Sequence, residues 1–408
     1  MENGKLKMEN ATTRSTVNSQ LSIPQLRFPE FSGEWEEKKL GDVAEIVGGG
    51  TPPTAVEKYW GGDIQWFTPT EIKNKYITNS KRTITQVGLD TSSARLLPKG
   101  TLLFSSRATV GEVGIAVQEC TTNQGFQSFI VNKNNKPEFL YNWIIKNKKE
   151  FIRRASGSTF LEIGKSEIKK IKLNLPTKPE QQKIAAFLTA VDNKIEQLSK
   201  KQELLGEYKK GLMQQIFSQA IRFKDDDGSD FPDWEENKLS DVSDCLDNRR
   251  QPLNGAERNQ MKGDIPYYGA NGIVDYVNDY IFDEELVLLA EDGGNFNDFS
   301  SKPIAQKING KAWVNNHAHI LKARGVITTD FLFYSLVHKD IRRYIVGGGR
   351  AKLNKSDLLS IRIILPSLEE QSKIVNFLFS IDNKIEQVGE QLGESKQFKK
   401  ALLQQMFV

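Results

Sequence analysis

One pattern occurs twice in this chain, and few folds accommodate that. Leu175 to Leu198 reads LPTKPEQQKIAAFLTAVDNKIEQL and Leu365 to Val388 reads LPSLEEQSKIVNFLFSIDNKIEQV, identical at 14 of 24 positions with a constant offset of 190. The offset holds downstream, where KKGLMQQIF (Lys209 to Phe217) meets KKALLQQMF (Lys399 to Phe407), and upstream, where GKSEIKKIKLNLP meets NKSDLLSIRIILP. Each copy also opens alike: RFPEFSGEWEEKKLGDV from Arg27 matches FPDWEENKLSDV from Phe231, pairing Trp35 with Trp234 at an offset of 199. A long internal period means one structural unit used twice. The similarity sits at the ends of each unit, while the middles differ almost completely. Shared ends around unlike middles imply a common scaffold carrying two different specificities.

The shared ends read as helices. Apolar positions run Ile184, Leu188, Val191, Ile195, Leu198, Leu205, Leu212 and Ile216 in steps of mostly four and three, with Gln202 and Lys209 interrupting. The second copy runs Ile374, Leu378, Ile381, Ile385, Val388, Leu392, Leu402 and Met406, interrupted by Ser395 and Lys399. That is a coiled-coil seam. Prolines 176, 179 and 366 punctuate the approaches, as proline does at helix starts. Helices from about 180 to 217 and 370 to 407 would each be roughly 55 Å long at 1.5 Å per residue. Each seam could instead pack only on its own neighbouring domain; two matched seams in one chain favour pairing with each other. The simplest return path makes the pair antiparallel, so that one chain imitates a symmetric dimer with a pseudo-two-fold axis. The expected fold class is α+β: two tandem β-rich domains, each followed by a long helix. The boundaries read as a flexible segment over 1–20, a domain over 21–178, a helix over 179–220, a second domain over 221–368 and a second helix over 369–408.

Composition narrows the function. A chain of 408 residues allows two or three domains. No stretch approaches the roughly 18 consecutive apolar residues of a membrane span, and the polar first twenty residues lack the apolar core of a secretory signal. A cytoplasmic protein is expected. Cys120 and Cys245 are the two cysteines, too few for a thiolate metal site. Charge is uneven: residues 41–175 hold 19 Lys and Arg against 12 Asp and Glu, whereas residues 241–364 hold 16 of each.

Both middles are strand-like runs broken by Gly and Pro, each ending in a helix (Pro137 to Arg154, Thr328 to Tyr344) and a glycine-bearing loop, SGSTF or GGGRAK. Basic groups near side-chain amides suit phosphate contact combined with base-edge reading. In the first middle Lys73, Lys75, Lys81, Arg82, Arg107, Arg153, Arg154 and Lys165 are candidates for phosphate or guanine, and Asn123, Gln124 and Gln127 for base edges. In the second, Arg249, Arg250, Arg324, Arg342, Arg343, Arg350 and Lys352 supply charge; Asn271, Asn295, Asn297, Asn315, Asn316 and His317 supply polar edges. For any single Lys or Arg the ordinary alternative is a solvated surface residue.

Enzymatic motifs fail on inspection. Thr51-Pro52-Pro53-Thr54 lacks the amide and aromatic of an amino-methyltransferase tetrapeptide, and neither a GxxxxGK(S/T) phosphate loop nor a GxSxG elbow occurs. His317 and His319 alternate, as if on one strand face, and read as a polar strand edge rather than a metal or acid–base pair. Glu291 and Asp292 lack the further lysine of a nuclease centre.

The organisation resembles the specificity subunit of type I restriction–modification systems. The features that carry it are the EQQKIAAFL…DNKIEQL and EEQSKIVNFL…DNKIEQV ends, the EWEEKKLGDV and DWEENKLSDV openings, and GGGTPPT…YWGGDIQWFTPTEI, SSRATVGEVGIA and NQGF. The resemblance implies two target-recognition domains, each reading half of an interrupted double-stranded DNA site, and a non-catalytic chain that directs adenine methylation and ATP-dependent cleavage. It implies assembly with two methyltransferase subunits and two ATP-driven restriction subunits. No cofactor would be bound by this chain; S-adenosylmethionine, ATP and Mg would sit on those partners. On the residues alone, a stand-alone sequence-specific DNA-binding regulator and a protein-interaction scaffold remain open.

Overall fold

A computed structural model describes residues 23–107, 109–157, 161–347 and 351–408. The chain divides into two compact units: one takes in the chain up to Ser199 together with Glu390–Val408, the other is Lys200–Gly389.

In the first unit a five-stranded sheet carries the core. Its strands are β1 (Ala44–Gly48), β2 (Tyr76–Ile77), β3 (Leu102–Phe104), β4 (Val113–Ala116) and β5 (Gln127–Val131), in the order β1-β5-β3-β4-β2. All neighbours are antiparallel except β2 with β4. Phe104 and Phe129 stack edge to face across it, and both are fully buried. A second sheet joins Arg82–Ile84, Trp60–Phe67 and Cys120–Thr122. Helix α1 (Pro137–Lys146), opened by a proline at its first position, packs on the large sheet. An antiparallel ribbon, Glu36–Lys39 with Lys172–Leu175, brings the two ends of the domain together and hands the chain to α2 (Lys178–Phe217).

The second unit repeats this plan. Strands β6 (Ser243–Cys245), β7 (Leu286–Ala290), β8 (Ala305–Ile308) and β9 (Ala318–Ala323) lie in the order β6-β9-β7-β8, matching β1-β5-β3-β4. A second four-stranded sheet is built on Lys262–Gly269, and α3 (Thr329–Leu336) takes the place of α1. The closing ribbon is Glu235–Lys238 with Arg362–Leu365, followed by α4 (Leu368–Gln405).

Both units anchor their helices with the same chemistry. Glu180, buried in the first turn of α2, accepts from the Arg27 guanidinium at 2.7 Å and from the Trp35 indole; Glu370 in α4 accepts from Arg222 at 2.8 Å and from Trp234 at 3.0 Å. The next residue is a buried glutamine in each: Gln181 bonds Lys136 N and Pro176 O, and Gln371 bonds Thr328 N and Pro366 O. A carboxylate at a helix start also complements the helix dipole. Three aromatic rings then pack in each core, Trp35, Phe139 and Phe407 in the first unit, Trp234, Phe331 and Phe217 in the second.

The two long helices pair antiparallel. Asp192 takes Lys399 at 2.6 Å, Gln202 lies against Gly389, and Asp382 takes Lys209 at 2.5 Å. The first of these contacts lies within the first unit and the other two within the second, where one helix climbs by seven residues as its partner falls by seven. Seam residues Leu198, Ile381, Val388 and Leu392 are buried, and Val191, Ile195, Leu205, Leu212 and Ile385 are half-buried. The seam ends do a second job. Ile184, Leu188, Leu402 and Met406 enter the core of the first unit, and Ile216, Ile374 and Leu378 that of the second. Met213 and Leu403, outside the expected seam, are buried there as well, because near its ends each helix is covered on more than one side.

Candidate nucleic-acid interface

In the first unit, loops gather at the ends of β1, β3 and β5. The Gly48–Gly50 run presses on the turn before β5: Gly50 N donates to Thr122 O at 2.8 Å, and a Cβ on Gly49 would meet Asn123 O at 2.0 Å. Only glycine allows that approach. Asn123 Oδ1 accepts from Gly125 N at 2.9 Å, and Ser106 Oγ donates to Gly125 O at 3.1 Å. Four expected residues come together here. Thr51 Oγ1 donates to Gln124 Oε1, leaving the Gln124 amide nitrogen without a partner among the described residues. Gln127 Oε1 and Thr122 Oγ1 are buried and unpartnered. Arg107 sits 3.9 Å from Glu162. Buried polar atoms ordinarily find partners, so this edge has unused hydrogen-bonding capacity.

Other expected residues of this unit lie elsewhere. Lys75 is turned onto α2, bonding Asp192 at 2.9 Å and Thr189 at 2.7 Å. Arg153 and Arg154 both pair with Glu150 on their own helix, and their charge holds the Glu150 carboxyl below its usual range, the Arg154 bond first. Arg82 stacks 3.5 Å over Trp60. Lys73, Lys81 and Lys165 are exposed.

The corresponding edge of the second unit is crowded with charge. Arg250 donates to Glu291 and, at 2.9 Å, to Ala318 O; Lys352 reaches Glu291 at 3.1 Å; His317 pairs with Asp292 at 2.7 Å. Asn315 Oδ1 accepts from His317 N at 2.8 Å, the counterpart of Asn123 with Gly125. Asn271 Nδ2 donates to Gly293 O at 2.8 Å, and Asn316 is exposed. Six expected residues, Arg250, Asn271, Asn315, Asn316, His317 and Lys352, thus share one cluster. Asn295 bonds Pro303 O and Asn297 is exposed on the neighbouring loop. Arg249 pairs with Glu284, Arg342 with Asp340, and Arg343 with the Tyr344 hydroxyl. Arg324 pairs with Asp244 at the far end of β9, roughly 20 Å from the cluster at 3.3 Å per residue. Arg350 and the segment 1–20 lie outside the described residues.

The histidines do not share an environment. His317 precedes β9 and is partly exposed; His319 is buried at 2% side-chain exposure. Its Nδ1 meets Asp247 Oδ2 at 2.6 Å and its Nε2 meets Leu353 O at 2.8 Å. Desolvation opposes its charge, but the Asp247, Cys245 and Leu353 bonds outweigh that and hold its pKa up at about 9. Burial likewise opposes the Asp247 and Glu291 carboxylates, and His319 and Arg250 overcome it, so both stay below their usual range. Cys245, Asp247 and His319 are close enough to suggest a metal centre. With both imidazole nitrogens engaged, the group instead works as a hydrogen-bonded clamp. Asp247 escaped the sequence reading, and Glu291 entered it only as an incomplete nuclease carboxylate, because their partners lie tens of residues away.

What the two edges offer is amide and hydroxyl hydrogen bonding beside basic groups, the chemistry that reads base edges and phosphates. The family model described as the type I restriction modification DNA specificity domain matches residues 32–205 and 232–392. The chain belongs to that family. It is similar to the type I restriction enzyme MjaIX specificity subunit of Methanocaldococcus jannaschii, 29% identical over 403 residues, covering 91% of this chain and 92% of the relative. A shorter match, 38% over 141 residues and about a third of each chain, is to a putative specificity subunit of Haemophilus influenzae. The crystal structure of the type I system S subunit from M. genitalium superposes with a TM-score of 0.62 over 95% of this chain and 99% of that one, at 18% identity, which supports the fold. As a type I specificity subunit the chain recognises the DNA target of a type I restriction complex and is itself non-catalytic. No described helix is long and apolar enough to cross a membrane.

Proposed function

We propose that each loop cluster reads one half of an interrupted double-stranded DNA sequence. Gln124, Gln127, Asn123 and Arg107 serve the first half; Asn316, Asn271, His317, Arg250 and Lys352 serve the second. The single observation that carries this reading is that the two units share their anchors, ribbon and sheet order while their loop clusters differ in chemistry. The paired helices α2 and α4 set the gap between half-sites, and half-sites about 34–36 Å apart face the same side of a duplex. Two methyltransferase subunits and two ATP-driven restriction subunits complete the assembly, and those partners bind S-adenosylmethionine, ATP and Mg.

Mapping methylated adenines in a host carrying the complex tests the reading. Gln124→Ala is expected to alter the first half-site only, and inserting four residues after Ser199 to lengthen the gap while leaving both half-sites intact. A Gln124 variant that changes the second half-site, or an insertion that leaves the gap unchanged, overturns it.

A further inference from the structure

The second unit contains a cavity that no part of the DNA reading uses. It has a volume of about 180 Å³ and is walled by Phe217, Trp234, Phe299 and Tyr334. Its counterpart in the first unit is filled. Phe139 and Phe331 hold equivalent places in the two aromatic triads, and four residues further along each helix come Trp143 and Ser335. Trp143 is buried in the same core as Leu403 and Phe407, whose equivalents Met213 and Phe217 line the cavity here. Ser335 merely turns its hydroxyl back to Leu332 O at 2.8 Å. One side chain has shrunk from an indole to a hydroxymethyl, and the lost ring is the opening.

The walls are held in place from behind. The Tyr334 hydroxyl donates to Asp382 at 2.6 Å, and His338 Nδ1 bonds Phe299 O at 2.7 Å. The remaining lining carries Lys210, His338 and Lys339 and no carboxylate. Lys339 is half-buried and its ammonium has no hydrogen-bond or ionic partner among the described residues; burial, then the nearby Arg343, push its pKa down. An ammonium held partly out of water without a counter-charge is unfavourable, and an anion in the cavity relieves it. Apolar cavities of about 150 Å³ accept a benzene ring.

We propose that this cavity binds a small aromatic carboxylate, the ring against the aromatic walls and the carboxylate on Lys339. The site is separate from the loop clusters and does not depend on their reading of DNA. Ligand-observed fluorine NMR on the full chain, with 4-fluorophenylacetate and neutral 4-fluorobenzyl alcohol as probes, tests it. The acid binds at millimolar concentration or below. Ser335→Trp, which restores the ring found in the first unit, abolishes binding at an unchanged melting temperature. Lys339→Gln weakens the acid about tenfold and leaves the alcohol unaffected, and it decides the matter if the larger ring destabilises the chain. No acid binding at millimolar concentration, binding that survives Ser335→Trp, or equal weakening of both probes by Lys339→Gln overturns the proposal.

Discussion

Gln127 and His319 stand at corresponding strand positions, four residues after Asn123 and Asn315, whose side chains make the same local bond. In the first unit the side chain ends in an unpartnered buried carbonyl; in the second it is an imidazole clamped by Asp247 and Leu353. Glu180 and Glu370, by contrast, hold their units with the same arginine, indole and helix turn. Groups that join helix to domain are repeated, and groups that line the outward edge, the Asn123 and Asn315 turns apart, are not. The division is between what holds the chain together and what it presents.

The anchors give the largest expected effect. Glu180→Ala and Glu370→Ala each remove the buried acceptor of the guanidinium bonds and of an indole bond, and each should cost about 3–5 kcal/mol in denaturant unfolding of the full chain. Equal losses keep the two scaffolds equivalent; a loss in one alone breaks the comparison.

His319 gives a smaller effect confined to the second unit. Its pKa is raised from 6.5 to about 9, so the stabilisation is fully present below about pH 6.5 and is lost as pH rises through about 9, amounting to about 3 kcal/mol. Asp247, Glu291 at 3.8 Å, Cys245 and Arg250 are the groups around it. His319→Gln is expected to lower stability at pH 6.5 by that amount and by progressively less toward pH 9, read from unfolding at each pH. A constant difference across the range means the clamp is uncharged.

The inter-helix pairs come next. Asp192 takes two lysines, Lys75 and Lys399, whereas Asp382 takes Lys209 and the Tyr334 hydroxyl. Double-mutant cycles on Asp192–Lys399 and Asp382–Lys209 should each return about 0.5–1 kcal/mol. Equal in size and opposite in sign are the helix glycines: a Cβ on Gly206, Gly211 or Gly393 meets nothing within 4 Å, so alanine there should stabilise by about 0.5–1 kcal/mol.

The repeat made the architecture legible, because a heptad seam is a local periodicity and the offset is visible by eye. That Asn123, Gln124 and Gln127 share one edge was legible too, since NQGFQ puts all three within five residues. Lys75 was not: its partner Asp192 is 117 residues away, and no spacing rule reaches that far. Nor was the fate of His319, since alternation gives a face, and only Asp247 and Leu353, far away in the chain, show what covers it.

The exchange of helix ends has a consequence for biosynthesis. Residues 200–389 form a contiguous stretch and can complete their unit as soon as they leave the ribosome. The unit begun earlier lacks Leu402, Met406 and Phe407 until the chain beyond Gly389 has been made. The domain translated first is therefore the last to close, and it waits half-assembled on a segment that emerges only after its neighbour is finished.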